Sequence, residues 1–206
     1  MRDAYPRCLG LAAMVTQARL ERIDRVVAGR LKGLAVVCEN FANPHNAAAI
    51  LRTCEALGIL NVYIVEELVP FEPSRAITQG ADKWLSIRRF RRAERAFPEL
   101  REGGYRIYAA MPGRGALPVE ELPVEEPLAL VFGNEKGGVS EKALKFCDGT
   151  FRIPMWGFVE SFNVSVAAAI SLYISARRRR AFLGAEGDLS PEEREALRER
   201  YIELSR

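Results

Sequence analysis

Short runs of apolar and β-branched residues recur along this chain, at 34–39 (LAVVCE), 61–65 (NVYIV), 84–87 (WLSI), 106–111 (RIYAAM), 128–133 (LALVFG) and 150–154 (TFRIP). Each is too short for a typical helix, and each reads as a strand. Several are continuously apolar rather than alternating, the pattern of strands buried on both faces of a parallel sheet. Between most of them lie segments of helical spacing, so the alternation predicts an α/β fold, a mainly parallel sheet flanked by helices. Residues 14–32 carry Leu20, Ile23, Val26 and Val27 among charges, which predicts an amphipathic helix ahead of the first strand. After Gly184 the chain turns acidic, and Ser190-Pro191-Glu192-Glu193 predicts a capped helix running to about Leu204. The expected organisation is an N-terminal helical extension (1–32), a central domain (33–182) and a helical tail (183–206).

The segment from Asn163 to Ile174 is apolar nearly all round. A helix without a polar face is buried on more than one side, either inside one chain or at the interface of a homodimer. At 206 residues and 49% hydrophobic content the chain is long enough for one compact domain with appendages. No apolar run approaches the roughly 20 residues that span a bilayer, and Arg2, Asp3 and Arg7 leave no apolar signal core, so a cytoplasmic protein off the membrane is expected. Cys8, Cys38, Cys54 and Cys147 form no C-x-x-C pair, which predicts reduced thiols and no metal site. The net charge of +3 decides little, but arginines gather in the first 32 residues, in 87–95 (IRRFRRAER) and at 177–180, a distribution suited to a polyanion.

Three segments could carry chemistry. In NPHNAAAILRTC, Asn46 opens a helix that Gly58 closes, and Arg52 lies near its middle. Asn46 could serve only as a cap and Arg52 only as a surface partner of Glu55; alternatively, Arg52 could grip a phosphate with its planar fork while Asn46 orients a ribose or a cofactor. In LVFGNEKGGVSEKAL a strand ends at Gly133 and Glu135 stands on the following turn, with Gly137 and Gly138 free to turn tightly and Ser140 capping a helix. It has neither a Walker lysine nor a dinucleotide fingerprint, which argues against a nucleoside triphosphate or NAD. In IPMWGFVESFNVSV, Ser161 and Asn163 flank Phe162 at a helix start, where one could cap and leave the other for substrate, and the backbones of Ile153 and Phe162 could meet an adenine. His45 has no acid or nucleophile at a recognisable spacing and reads as structural or peripheral.

Together with GADKWL at 80–85, these segments, in this order, resemble the motifs of the SpoU branch of the SPOUT RNA 2′-O-ribose methyltransferases, over about residues 34–180. The likeness is greatest to the members that methylate a guanosine ribose in the D-loop of tRNA. The resemblance implies a C-terminal trefoil knot, bound S-adenosylmethionine, a tRNA substrate and no DNA. It also implies a homodimer whose active sites draw on both subunits. It places catalysis at Asn46, Arg52, Glu135, Ser161 and Asn163, and cofactor binding at Ala110, Gly133, Ile153 and Phe162. Another tRNA position, ribosomal RNA, or a non-catalytic RNA-binding protein that keeps the fold are the competing readings.

Overall fold

The computed structural model describes residues 15–113 and 115–205; the start of the expected first helix at Met14, the N-terminal charges and Cys8 lie outside them. Seven parallel strands form one sheet in the order β3-β2-β1-β6-β4-β7-β5. They are β1 (Leu31–Glu39), β2 (Ile59–Val65), β3 (Ser86–Phe90), β4 (Arg106–Ala110), β5 (Leu117–Pro118), β6 (Leu128–Phe132) and β7 (Gly149–Arg152). The helices are α1 (Gln17–Ala28), α2 (Pro44–Ala56), α3 (Arg75–Thr78), α4 (Ala93–Glu102), α5 (Glu141–Leu144), α6 (Val164–Leu183) and α7 (Pro191–Glu203), with 3-10 turns at Ala81–Trp84 and Val119–Glu121.

The continuous apolar runs have the cause inferred from the sequence. Along β1, Leu34, Val36 and Cys38 face a core shared with α2 and α6, while Ala35 and Val37 face a second core shared with α4. Each alternate side chain is therefore removed from water, and no polar position is left to mark a period of two. The run expected at 84–87 is displaced: β3 begins at Ser86, and Trp84 ends a 3-10 turn. β3 is an edge strand, so Arg88 and Arg89 can point to water and break the apolar signal. The two-residue β5 has no sequence signature at all.

A third core joins α1 to α7 through Ile23, Val27, Leu197, Tyr201 and Ile202, with Leu60 of β2 beneath them. Ser190 caps α7 in a full capping box with Glu193, as its sequence predicts. Ion pairs hold this corner to the domain, and one of them joins Glu193 of α7 to Lys32 of β1 at 2.6 Å. The wholly buried Arg30 reaches the carbonyl and carboxylate of Glu55 at 3.3 and 3.4 Å and lies over the Tyr201 ring. Asp188 accepts from the backbone N–H groups of Lys32 and Gly33 and from Arg179, whose guanidinium also donates to the carbonyls of Val124 and Glu126 at 2.9 Å. Gly33 leaves room for this pair: a Cβ there would overlap the Arg179 guanidinium and the Asp188 carboxylate and oblige them to shift.

Among the described residues no helix is long and apolar enough to cross a membrane. α6 buries Ala168, Ser171, Leu172, Ser175, Ala176 and Arg179, but Val166, Tyr173 and Phe182 stay exposed, so the described residues cover only one side of it.

Candidate active site

The carboxyl ends of β4, β6 and β7 open into a cleft of about 630 Å³, at the edge of a parallel sheet where ligands bind in folds of this class. Its walls come from three loops: 110–112 after β4, 133–138 after β6 and 153–163 between β7 and α6. Ala110, Met111, Phe132, Phe151, Ile153 and Phe162 give it an apolar surface, while Glu135, Lys136, Arg152, Ser161 and Asn163 supply polar groups. A mostly apolar cleft of this size with a few placed polar groups suits a small organic cofactor.

The loop after β6 is held by its own backbone. Asn134 and Gly138 exchange two hydrogen bonds of 3.0 and 2.8 Å, and the Asn134 amide donates to the carbonyl of Asn40 at 2.7 Å. Gly138 turns through a φ of +65°, open to glycine at little cost, and a Cβ on Gly133 would overlap the Gly138 carbonyl. Both glycines therefore do more than loosen a turn: they let two backbone segments touch beneath the cleft. Ser140 caps α5, and its hydroxyl and N–H both donate to Glu39, a carboxylate buried at the end of β1.

The polar residues expected at the site separate into a linked group of three, Ser161 on the rim, and Arg52 apart from both. Glu135 accepts from the backbone N–H groups of Ala42 and Asn43 at 3.3 and 3.2 Å and from the side-chain amide of Asn46 at 3.1 Å. Burial alone would raise its pKa, but these hydrogen bonds outweigh it and hold the carboxyl below its ordinary range. The Asn46 oxygen in turn accepts from the amide of Asn163 at 3.1 Å, and the Asn163 oxygen caps α6 by accepting from the N–H and hydroxyl of Ser165. One chain of hydrogen bonds thus runs from the start of α2 through Glu135, Asn46 and Asn163 to the start of α6. Ser161 lies on the exposed rim of the cleft, two residues before Asn163.

Two local expectations change. The cap of α2 is Asn43, which accepts from the N–H of His45 with Pro44 at the first helical position; Asn46 sits inside the first turn and is 6% exposed. Pro44 directly after Asn43 was the available sign, because proline favours the first position of a helix. Glu55 pairs with Arg30 and not with Arg52.

Arg52 stands apart from this group within one chain. It is exposed, donates to the carbonyl of Ile77 at 3.1 Å, and is not among the residues that line the cleft. Ala110, Gly133, Ile153 and Phe162 all line it. Lys136 and Arg152, which the sequence reading does not single out, line it too; their places beside Glu135 and Ile153 within the motifs were the signal for them. His45 is exposed on the first turn of α2.

Comparison with known proteins gives this arrangement its context. The chain is 41% identical over 164 residues to the tRNA (guanosine(18)-2'-O)-methyltransferase of Thermus thermophilus, covering 80% of this chain and 84% of that protein. The crystal structure of the A. aeolicus TrmH/SpoU tRNA modifying enzyme superposes with a TM-score of 0.80 at 33% identity, over 92% of this chain and 97% of that one. The SpoU methyltransferase AviRb from Streptomyces viridochromogenes, in complex with the cofactor AdoMet, matches with a TM-score of 0.66 at 26% identity, over 77% and 64%. The SpoU rRNA Methylase family profile matches residues 33–173. Motifs, strand order and cleft agree with that match, and the chain belongs to the SpoU methylase family.

Proposed function

We propose that this protein transfers the methyl group of S-adenosylmethionine to a ribose 2′-hydroxyl of tRNA, the D-loop guanosine at position 18. The observation that carries the reading is the hydrogen-bonded chain Glu135–Asn46–Asn163 on the edge of an apolar cleft, in a member of a family whose relatives bear that activity in their names. The cleft fits the cofactor on its own chemistry: apolar walls at Ala110, Ile153 and Phe162 for a base, and polar groups around them. When bound, S-adenosylmethionine supplies an activated methyl group on a sulfonium.

The residues of the chain do the rest by positioning. A ribose hydroxyl is a poor nucleophile at neutral pH, so it must be held in line with the methyl group and relieved of its proton. Both ends of the Asn46 amide are already occupied, by Glu135 and Asn163, so Asn46 acts as a positioning residue that fixes the mouth of the cleft. Ser161, on the rim and without such ties, is placed to orient the sugar. A guanidinium hardly ever loses its proton, so Arg52 does not serve as a simple base. It pins the neighbouring phosphate, whose oxygen assists removal of the hydroxyl proton.

The isolation of Arg52 within one chain supports a site completed across a homodimer, where the partner subunit's Arg52 approaches the cleft. The exposed apolar surface of Trp156, Phe158, Val159, Val166 and Tyr173, which borders the cleft on the loop before α6 and runs onto that helix, is a fitting dimer face. We assign the trefoil knot to the chain that leaves β6, crosses to β7 and returns as α6 against α2, and the catalytic body to residues 33–182, with α1 and α7 as appended helices. The test is methyl transfer from labelled cofactor to total tRNA, followed by mapping of the product. Label at the D-loop guanosine is expected; label in ribosomal RNA only, or none, overturns the assignment.

A further inference from the structure

At the far corner of the sheet from the cleft lies a group of cations that nothing described so far uses. β3 ends at Phe90, which is in register with Val65 of β2; Val65 is in register with Glu39 of β1, and Cys38 with Phe132 of β6. These strand ends share one edge of the sheet, and three inter-strand spacings place the end of β3 about 15 Å from the floor of the cleft. Arg91 follows β3, Arg92 precedes α4 and Arg95 lies in the first turn of α4, all exposed.

The acids at this corner are already engaged. Glu66 accepts from Arg89 at 2.7 Å, Glu67 and Glu94 flank Lys142 at 2.5 and 2.8 Å, and Glu99 pairs with Arg88. The guanidinium groups of Arg91, Arg92 and Arg95 make no hydrogen bond or ion pair among the described residues, and Arg91 and Arg92 act on Glu66 and Glu94 only through space. Three exposed guanidinium groups, none in contact with an acid among the described residues, are therefore concentrated at one corner of a chain whose whole net charge is +3.

We propose that Arg91, Arg92 and Arg95 form a docking surface for the phosphate backbone of the RNA substrate, away from the reacting ribose. The inference rests on reading the cleft as a site of RNA ribose methylation and extends that reading along the same sheet edge. A guanidinium fork meets phosphate oxygens two at a time, and three such forks on the sheet edge that also carries the cleft suit a polymer whose charges recur along its length. Contacts of this kind set register and affinity without reading bases. They act on capture of the RNA, not on the methyl transfer itself.

The experiment compares the full-length wild type with Arg91→Gln/Arg92→Gln/Arg95→Gln and with the matching triple lysine variant, using a tRNA transcript. For the glutamine variant, the plot of log affinity against log salt should become shallower by roughly two to three units, as expected for the loss of three phosphate contacts. Its KM for tRNA should rise about tenfold or more while kcat stays within about twofold, the pattern of lost uniform binding. Cofactor affinity and melting temperature should stay at wild-type values, and the lysine variant should recover most of the salt slope. Unchanged KM and salt slope in the glutamine variant, with a wild type that methylates tRNA, overturn the docking surface and leave the proposed activity standing. A parallel loss of cofactor affinity or stability would also overturn it, by assigning these residues to the fold. A wild type that transfers methyl to no RNA removes the proposed activity and this surface together.

Discussion

Asn46 is the residue on which the candidate site turns. Its amide donates to Glu135 and its oxygen accepts from Asn163, so its orientation is fixed from both sides. Asn46→Ala should cost about 1–3 kcal/mol, because the Asn163 amide loses its acceptor and Glu135 loses one of its three donors. Thermal melting measures that cost, and methyl transfer should fall further than stability alone explains; full activity in a folded Asn46→Ala protein would remove the positioning role. Arg52 makes a different prediction because, among the described residues, its guanidinium hydrogen-bonds to the Ile77 carbonyl alone. Arg52→Lys keeps the charge and loses the fork, so transfer should drop by at least about tenfold, near 1.4 kcal/mol of barrier, with cofactor affinity intact by calorimetry. An equal loss of cofactor binding would contradict that division of labour. At this scale the sequence was legible where a motif surrounds a residue and illegible where geometry chooses between like neighbours. Two asparagines three positions apart, Asn43 and Asn46, could each cap α2, and the choice falls to the one whose successor is proline.

Among the elements, β1, β2, β4 and β6 could be read from the chain because burial on both faces writes a nearly unbroken apolar run, whereas β7 buries only Phe151 and showed as a short β-branched and aromatic run. β3 could be read only in part, since an edge strand tolerates Arg88 and Arg89, and β5 not at all, since two residues carry no period. The Arg179–Asp188 pair was also invisible: a basic run at the end of a helix reads as a solvated face, yet Arg179 turns inward and is 6% exposed. It joins the end of α6 to the start of β1 and to the loop before β6. Asp188→Ala leaves a buried guanidinium without its countercharge and should destabilise by about 3–5 kcal/mol. Pairing it with Arg179→Met should recover a substantial part of that loss, since the stranded charge is then gone too. Denaturant unfolding of the two single variants and the double variant measures the coupling, and strict additivity would mean the pair does not act as a unit.

At the scale of the whole molecule, the described residues leave one side of α6 and the adjoining loop uncovered, with Trp156 at 93% and Tyr173 at 51% exposure. The apolar character of that helix was plain in the sequence, but its two explanations, burial within a chain and contact between chains, could not be separated there. The structure covers one flank only, which favours the second. Tyr173→Glu places a charge on the proposed dimer face, and sedimentation should then find a monomer that retains the fold but has lost methyl transfer. A monomeric wild type with full activity would show that one chain suffices and that Arg52 has no part in the partner's site.

The strand order also bears on synthesis. β1, β2 and β3 can assemble as soon as they leave the ribosome, but the inner edge of β1 stays open until β6, nearly forty residues beyond β3, arrives to pair with it. Until then the nascent chain presents one open edge of a strongly apolar strand, along Val36, Val37 and Cys38, a template for the wrong neighbour.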